Sequence, residues 1–287
     1  TFLADYLAMQ LPLILVLAQE AVLPAVFLVW AAGAATVAGA LLASGSKGGL
    51  LAASVATVAW AMVVWRRRAL SRRRTGVLVI AAAAMLAVLA ALTPSLGVTL
   101  ARWSSGGQRF SFTQRVGMAA GSLRLLATAP LAGRGTGGLP VLFPAFQPRD
   151  LHHGLGATLS VNHAHDDYLE VACDLGLPAL GLLLWMGLAA ALRGGTPPHA
   201  TGLRLSVLAG ACAMAVNFVL SVPPSAFPLW THAGFLAGRR PVAPPAPRAA
   251  WAAAAFLALF LGTSAARELA ARAWYNAGAA ALARGNA

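Results

Sequence analysis

The chain contains one run in which polar and ionisable residues are concentrated, Asn162-His163-Ala164-His165-Asp166-Asp167-Tyr168-Leu169-Glu170. An imidazole titrates near neutral pH, so a histidine beside a carboxylate is suited to act as a general base whose ring the acid orients. Imidazole and carboxylate groups are also ordinary ligands of zinc or manganese. The histidines at 163 and 165, and those at 152 and 153, lack the spacing of a catalytic zinc helix. The pattern therefore favours a general base.

Three acidic residues continue this run into an apolar stretch. Asp167, Glu170 and Asp174 are three and four residues apart, which places them on one face of a helix. Where such a helix enters a membrane, ionisable groups generally face a cavity and have a function. The alternative is that they hydrate a helix end and stabilise its first turn through the helix dipole.

The composition indicates that this run lies at a bilayer. Of the 287 residues, 59% are hydrophobic and 10% are charged, which is too apolar for a soluble domain. Lys and Arg number 21 against 8 Asp and Glu, but the arginines stand in short runs between apolar segments, where they set membrane orientation. Nucleic-acid binding is disfavoured because no soluble basic module is present. Cys173 and Cys212 lie in apolar stretches without a CxxC spacing and predict neither a disulfide nor a thiolate metal site.

Seven apolar segments have about the length needed to span a bilayer as helices. They cover residues 2–18, 22–43, 49–65, 75–93, 167–192, 203–222 and 249–265. The first is the weakest, because Asp5, Gln10 and Pro12 interrupt it. The predicted fold class is all-α, a polytopic transmembrane helical bundle in which residues 1–265 form the membrane catalytic domain. The sequence starts without Met or a cleavable leader, so further helices are expected upstream.

The arginines also predict an orientation. If the basic stretch 66–74 is cytoplasmic, the long loop 94–166 lies outside. The stretches 44–48, 221–228 and 266–287 are assigned to the same outer side, and Arg193, Arg204, Arg239, Arg240 and Arg248 to the cytoplasmic side. The candidate site then faces the outer side of the membrane. The tail 266–287 is expected to be a helix on that side, either the start of a tetratricopeptide domain or an amphipathic helix by itself.

The loop 94–166 is longer than a connector requires, and long loops commonly carry function. Residues 112–127 mix apolar side chains with Gln114, Arg115 and Arg124, which predicts a short helix at the membrane surface. The glycines of residues 130–138 then allow tight turns and a close approach of backbone N–H groups to a ligand. Taken alone, that stretch is accounted for at least as well by an ordinary loop.

Four motifs resemble, in the same order, those of O-antigen ligases and polymerases. The run His165-Asp166-Asp167-Tyr168-Leu169, with Asp174-Leu175-Gly176, is similar to that family's His-Asn-x-Tyr-Leu and acidic-x-Gly signature. Arg115, followed by Pro130-Leu131-Ala132-Gly133-Arg134-Gly135-Thr136-Gly137, resembles its arginine and glycine-rich segment. Ser44-Gly45-Ser46-Lys47-Gly48-Gly49 resembles its Ser-Arg-Gly turn, and residues 217–238 its proline-marked segment. Asp166, Lys47 and Ala179 depart from the asparagine, arginine and second helix glycine of the pattern.

This resemblance implies a glycosyltransferase that moves a saccharide from an undecaprenyl-diphosphate-linked donor, at the membrane lipid surface, to a hydroxyl of a glycolipid, glycan or protein acceptor. It also implies that the protein lies in a bacterial inner (plasma) membrane with its site facing the periplasm, where the tail 266–287 would lie as well. No metal or other cofactor is implied. His165 would accept the proton of the hydroxyl, Lys47 and Arg115 would hold the diphosphate, and Asp166 or Asp167 would orient the imidazole. The other residues expected to bind substrate are His163, Tyr168, Arg134, Gly135 and Gly137, and Arg124 is a reserve candidate for phosphate contact.

The sequence leaves the acceptor open. A ligase, a polymerase of lipid-linked glycans and a protein O-oligosaccharyltransferase of the same family all fit the motifs. A transporter or flippase of lipid-linked sugars is the alternative from another class, because it too needs a charged cavity among helices. No inverted repeat is visible, and a long outer loop with a histidine favours the enzyme.

Overall fold

The computed structural model of the protein describes residues 2–67, 71, 74–78, 107–148, 161–193 and 199–237. Every regular element in these ranges is a helix, which confirms the all-α fold class. Most of the predicted span 75–93, the whole of 249–265, the tail 266–287 and the histidines 152 and 153 lie outside the described residues. The chain divides into two compact units: unit 1 comprises Thr1–Thr113, His165–Asp167 and Leu184–Arg240, and unit 2 comprises Gln114–Ala164, Tyr168–Leu183 and Pro241–Ala287.

Unit 1 begins with three long apolar helices, α1 (Phe2–Glu20), α2 (Pro24–Ala43) and α3 (Lys47–Arg67). All three are long and apolar enough to cross a membrane, as predicted from their hydrophobicity. Helix α1 packs against both α2 and α3. Several of its buried residues are alanine, which allows neighbouring helices to approach closely.

Unit 1 also contains two shorter helices, α8 (Ala200–Met214) and α9 (Pro223–Ala237). The predicted span 203–222 is wrong in its second half, because α8 ends at Met214 and residues 215–222 are non-helical. Helix α9 was not predicted, because residues 221–228 were assigned to a stretch outside the membrane between predicted helices. Pro223 and Pro224 occupy the first turn, where the missing N–H has no intrahelical partner in any case.

Unit 2 contains α4 (Gly107–Ala127) from Gln114 onward and α5 (Gly138–Leu142), which continues into a 3₁₀ turn at Phe143–Ala145. The helix predicted at 112–127 is therefore present and starts five residues earlier. Its buried face contributes to a core formed by Met118, Leu125, Leu139, Phe143, Val161, Ala164 and Cys173. Gly121 lies directly against the Phe143 ring, since a Cβ there would be 2.7 Å from Cε2.

The predicted span 167–192 is not one helix but two, α6 (Asp167–Leu175) and α7 (Leu177–Arg193). The break falls at Gly176, whose φ of 86° is in the left-handed region that favours glycine. The N–H of Leu177 donates to the carbonyl of Pro130 at 2.8 Å. The single-helix prediction was wrong here because hydrophobicity continues across a residue whose backbone turns.

Candidate active site

The glycine segment, residues 130–138, is bound to the C-terminal end of α6 through its backbone. The N–H groups of Arg134 and Gly135 donate to the carbonyls of Cys173 and Asp174, each at 2.8 Å. The N–H of Gly137 donates to Oδ2 of Asp174, also at 2.8 Å. Gly133, with a φ of 64°, comes so close that a Cβ would be 2.2 Å from the Asp174 carbonyl oxygen.

Three residues of the glycine segment were expected to bind substrate. The N–H groups of Gly135 and Gly137 are instead engaged within the protein, so in this conformation they hold the segment in place. The Arg134 guanidinium donates through Nε to the Thr128 hydroxyl and through a terminal nitrogen to the Thr128 carbonyl, both at 3.1 Å. It thereby caps the carbonyl end of α4, a position that favours cations.

The carboxylate of Glu170 holds the segment that precedes α6. Its Oε1 lies 2.9 Å from Nδ1 of His163, and its Oε2 accepts the N–H of Ala164 at 3.1 Å. A glutamate one turn into a helix that reaches back to the preceding backbone resembles half of a capping box. His163 is therefore paired with an acid, and the backbone just before His165 is fixed.

His165 has an unusual backbone. Its φ is 55°, and no other non-glycine residue in the described ranges has a positive φ. Such conformations cost free energy and cluster at functional sites, where surrounding contacts maintain them. The half-buried His165 ring meets the Phe218 ring edge to face, with centroids 4.9 Å apart and an interplanar angle of 77°.

The two aspartates after His165 differ in their surroundings. Asp166 is half-buried, whereas Asp167 is 2% exposed and its Oδ2 accepts the N–H of Leu220 at 3.0 Å. Asp167, the first residue of α6, thus links that helix to the 215–222 turn. Its hydrogen bond to that turn gives it a structural task in addition to the predicted one of orienting an imidazole.

The 215–222 turn also contacts α1 and α3. Nδ2 of Asn217 donates to Oδ1 of Asp5 at 2.7 Å, and both side chains are buried. A Cβ on Gly48 would be 2.7 Å from the same Nδ2, so the first turn of α3 abuts Asn217. Lys47, which is exposed, begins that helix. Lys47 and His165 are therefore both brought to the 215–222 turn.

In the sequence, Asp5 stands out only as an interruption of a transmembrane segment, and Asn217 and Phe218 have no predicted role of their own. A charged residue inside an apolar helix was the available signal, because such residues usually have a partner and a function. Its partner was not predictable, since Asn217 is 212 residues away along the chain.

Arg115 is half-buried on α4, one turn before Met118. Met118 shares a core with Val161 and Ala164, which flank His163. Because residues three apart share a helix face, Arg115 lies at the end of the face that packs against this segment. Tyr168, half-buried on α6, completes the candidate residues. Unit 1 contains Lys47, His165, Asp166 and Asp167, and unit 2 contains Arg115, Arg134, Gly135, Gly137, His163 and Tyr168.

Among the residues that the structure describes, no group of three or more His, Cys, Asp or Glu side chains is arranged to hold a metal ion. A sequence model of the family described as O-antigen ligase matches residues 32–184, which is more than half of the chain. The matched range contains Lys47, Arg115, the glycine segment and His165, and it ends before the 215–222 turn. Neither the curated proteins nor the solved structures gave a match.

Proposed function

The chain belongs to the O-antigen ligase family, and we propose that it transfers a saccharide from an undecaprenyl-diphosphate-linked donor to an acceptor hydroxyl on the periplasmic face of the inner membrane. The acceptor oxygen attacks the anomeric carbon while the bond from that carbon to the diphosphate oxygen breaks. His165 takes the proton of the hydroxyl, and the departing diphosphate keeps the electron pair. Lys47 and Arg115 neutralise its growing charge.

The observation that carries this proposal is the fixed, strained backbone of His165. Its φ of 55° is maintained between two anchored neighbours along the chain. On one side Glu170 accepts the N–H of Ala164, and on the other Asp167 accepts the N–H of Leu220. A base must be held within hydrogen-bond reach of the proton that it accepts. The contacts that anchor the residues on either side of His165 therefore support a catalytic role for it.

Two features support the roles of the cations. Arg115 is at the end of the packed face of α4, beside the segment that leads into His165. Lys47 begins α3, where the helix dipole adds to its positive charge. A diphosphate carries concentrated negative charge, for which an arginine fork and a lysine point charge are both suited.

The direct test is transfer by the purified full chain. With a polyprenyl-diphosphate-linked oligosaccharide and a candidate acceptor, we expect release of polyprenyl diphosphate in step with glycosylated acceptor, with undiminished rate in excess EDTA. Movement of the donor across vesicle membranes without release of diphosphate would contradict the proposal and favour a flippase. In cells that lack the gene, accumulation of long lipid-linked chains would identify a ligase, and of single repeat units a polymerase.

The proposed orientation has its own test. A cysteine introduced at Gln147 should react with a membrane-impermeant thiol reagent added from the periplasmic side, and one introduced at Ser71 should not. The unsubstituted chain gives the background, since Cys173 is buried and Cys212 is partly so. The reverse labelling pattern would place the candidate site on the cytoplasmic side and overturn the proposal.

A further inference from the structure

We infer that the buried, hydrogen-bonded pair of Asp5 and Asn217 fixes the positions of Lys47 and His165 relative to each other. This inference rests on the proposed function and adds two residues that the motifs do not contain. Neither side chain is assigned contact with substrate. Each acts on the site through the residues beside it.

The pair is buried in surroundings where a carboxylate is costly. Asp5 is 1% exposed and Asn217 is 3% exposed, and the helix that carries Asp5 is otherwise apolar enough to span a membrane. A carboxyl group in such a place is retained only when hydrogen-bond partners satisfy it. The 2.7 Å bond from Nδ2 of Asn217 is at the short end of the range for an N–H donor and an oxygen acceptor.

The first turn of α3 rests on this pair. At Gly48 a Cβ would be 2.7 Å from Nδ2 of Asn217, and at Gly49 it would be 2.7 Å from Cβ of Ala4, the neighbour of Asp5. Ser46 closes the same turn, because its hydroxyl accepts the N–H of Gly49 at 3.3 Å. Lys47 lies within this turn, so the placement of its backbone follows that of the pair.

The next residue along the turn transmits the same constraint to His165. The ring of Phe218 lies between two other rings, with centroid distances of 4.9 Å to His165 and 5.2 Å to Phe2. Phe2 is one helical turn before Asp5 on α1. A shift of Asn217 would therefore displace the ring against which the imidazole is packed. One hydrogen bond thus fixes both a cation and the general base.

The test reverses the polarity of the hydrogen bond. Asn217→Asp removes the amide donor and sets a second carboxyl group against that of Asp5, and should lower kcat about 100-fold, the scale expected for a misplaced catalytic group. Adding Asp5→Asn restores one amide and one carboxylate, with donor and acceptor exchanged, and should recover most of the lost kcat. Ser206→Ala is the matched control, because it removes another buried hydrogen bond of unit 1, the one between Oγ of Ser206 and Nδ1 of His232, which are 2.6 Å apart.

The readouts are kcat, KM for the lipid-linked donor and the thermal unfolding midpoint of the purified full chain. We expect Ser206→Ala to lower the midpoint and leave kcat unchanged, whereas Asn217→Asp lowers kcat per folded molecule. If Asn217→Asp alters only the midpoint, or if the double variant folds but stays as slow as the single one, the inference is wrong.

A further variant covers the case in which Asn217→Asp does not fold. Phe218→Leu keeps the pair and most of the apolar volume while removing the ring edge from His165, so it should lower kcat with little change in KM. An unchanged kcat would contradict the inference. Failure of the proposed function would be seen differently, as a His165→Ala variant that transfers at the wild-type rate.

Discussion

The glycine segment and the 215–222 turn each fix part of the candidate site, but with different atoms. In the glycine segment, backbone N–H groups and carbonyls make most of the contacts, and Gly133 and the Asp174 carbonyl leave no space for a Cβ. At the 215–222 turn, side chains make the contacts: Asn217 of the turn bonds to Asp5 of α1, and Asp167 of α6 bonds to the backbone of Leu220. The first arrangement should not tolerate a Cβ at Gly133, where two backbones touch, whereas the second should tolerate changes that preserve a donor and an acceptor.

The largest expected effect is on the folding of the backbone-defined region. Gly133→Ala combines a left-handed φ with a Cβ 2.2 Å from a carbonyl oxygen, and should destabilise the protein by about 2–5 kcal/mol. Gly135→Ala is the matched control, since its φ is also positive but no atom lies within 4 Å of the added Cβ. The thermal midpoint and the yield of folded protein should fall much further for Gly133→Ala. Equal losses would mean that φ strain, and not close contact, dominates.

The next effect is on catalysis. Arg115→Ala should lower kcat about 10²- to 10³-fold, as expected when a group that stabilises transition-state charge is removed. Arg115→Lys should be intermediate, because lysine keeps the charge but loses the fork. Arg124 is exposed, and its separation of nine residues from Arg115 puts it on the opposite face of α4. Arg124→Ala should therefore change the free energy of activation by about 0.5 kcal/mol or less. A larger loss for Arg124→Ala would show that the clamp was assigned to the wrong face of α4.

A smaller effect is expected where a side chain supports the glycine segment. Asp174→Ala leaves the N–H of Gly137 without its acceptor and should cost about 1–3 kcal/mol in the free energy of unfolding. Asp174→Asn keeps an oxygen at that place and should cost less. Chemical denaturation of both variants measures the difference. If the two variants were equally unstable, the charge of Asp174, rather than its hydrogen bond, would be the stabilising feature.

The smallest effect is expected at the start of α3. Lys47→Arg restores the residue of the family pattern on an exposed side chain. It should change kcat by well under tenfold, which is a change of less than about 1.4 kcal/mol in the free energy of activation. Gly48→Ala, one residue later, meets Asn217 and should lower kcat more. Kinetic comparison of these neighbours tests whether position, and not charge alone, matters here. A severe loss in Lys47→Arg would contradict the proposed phosphate contact.

The sequence could predict those parts of the fold that depend on a continuous run of residues, but not those that depend on contacts between distant residues. Helices α1 to α3 were predicted to within a few residues, because a continuous apolar run of about 20 residues is typical of a membrane-spanning helix. The break at Gly176 was missed because it depends on a backbone contact with Leu131, 45 positions earlier in the chain. Helix α9 was missed because Pro223 and Pro224 start helices as readily as they end them.

The candidate site was predictable only where it consists of contiguous residues. The run around His165 was identified from its own residue types, and Glu170 was noted as one of its acids. The pairing of Glu170 with His163, the anchoring of Asp167 and the Asp5–Asn217 bond all depend on packing between distant segments. Hydrophobic patterns do not encode such contacts, so they could not be predicted from one sequence.

The comparison of His165→Ala with His163→Ala, at matched levels of folded protein, tests most directly whether the strained histidine is the general base. Removing a positioned base should lower kcat about 10²- to 10⁴-fold, so His165→Ala should lose transfer in that range while its thermal midpoint stays near that of the wild type. His163→Ala removes the hydrogen bond between His163 and Glu170 at a half-buried position and should retain most of the activity. Near wild-type kcat in His165→Ala, or a loss confined to His163→Ala, would contradict the assignment of His165 as the base.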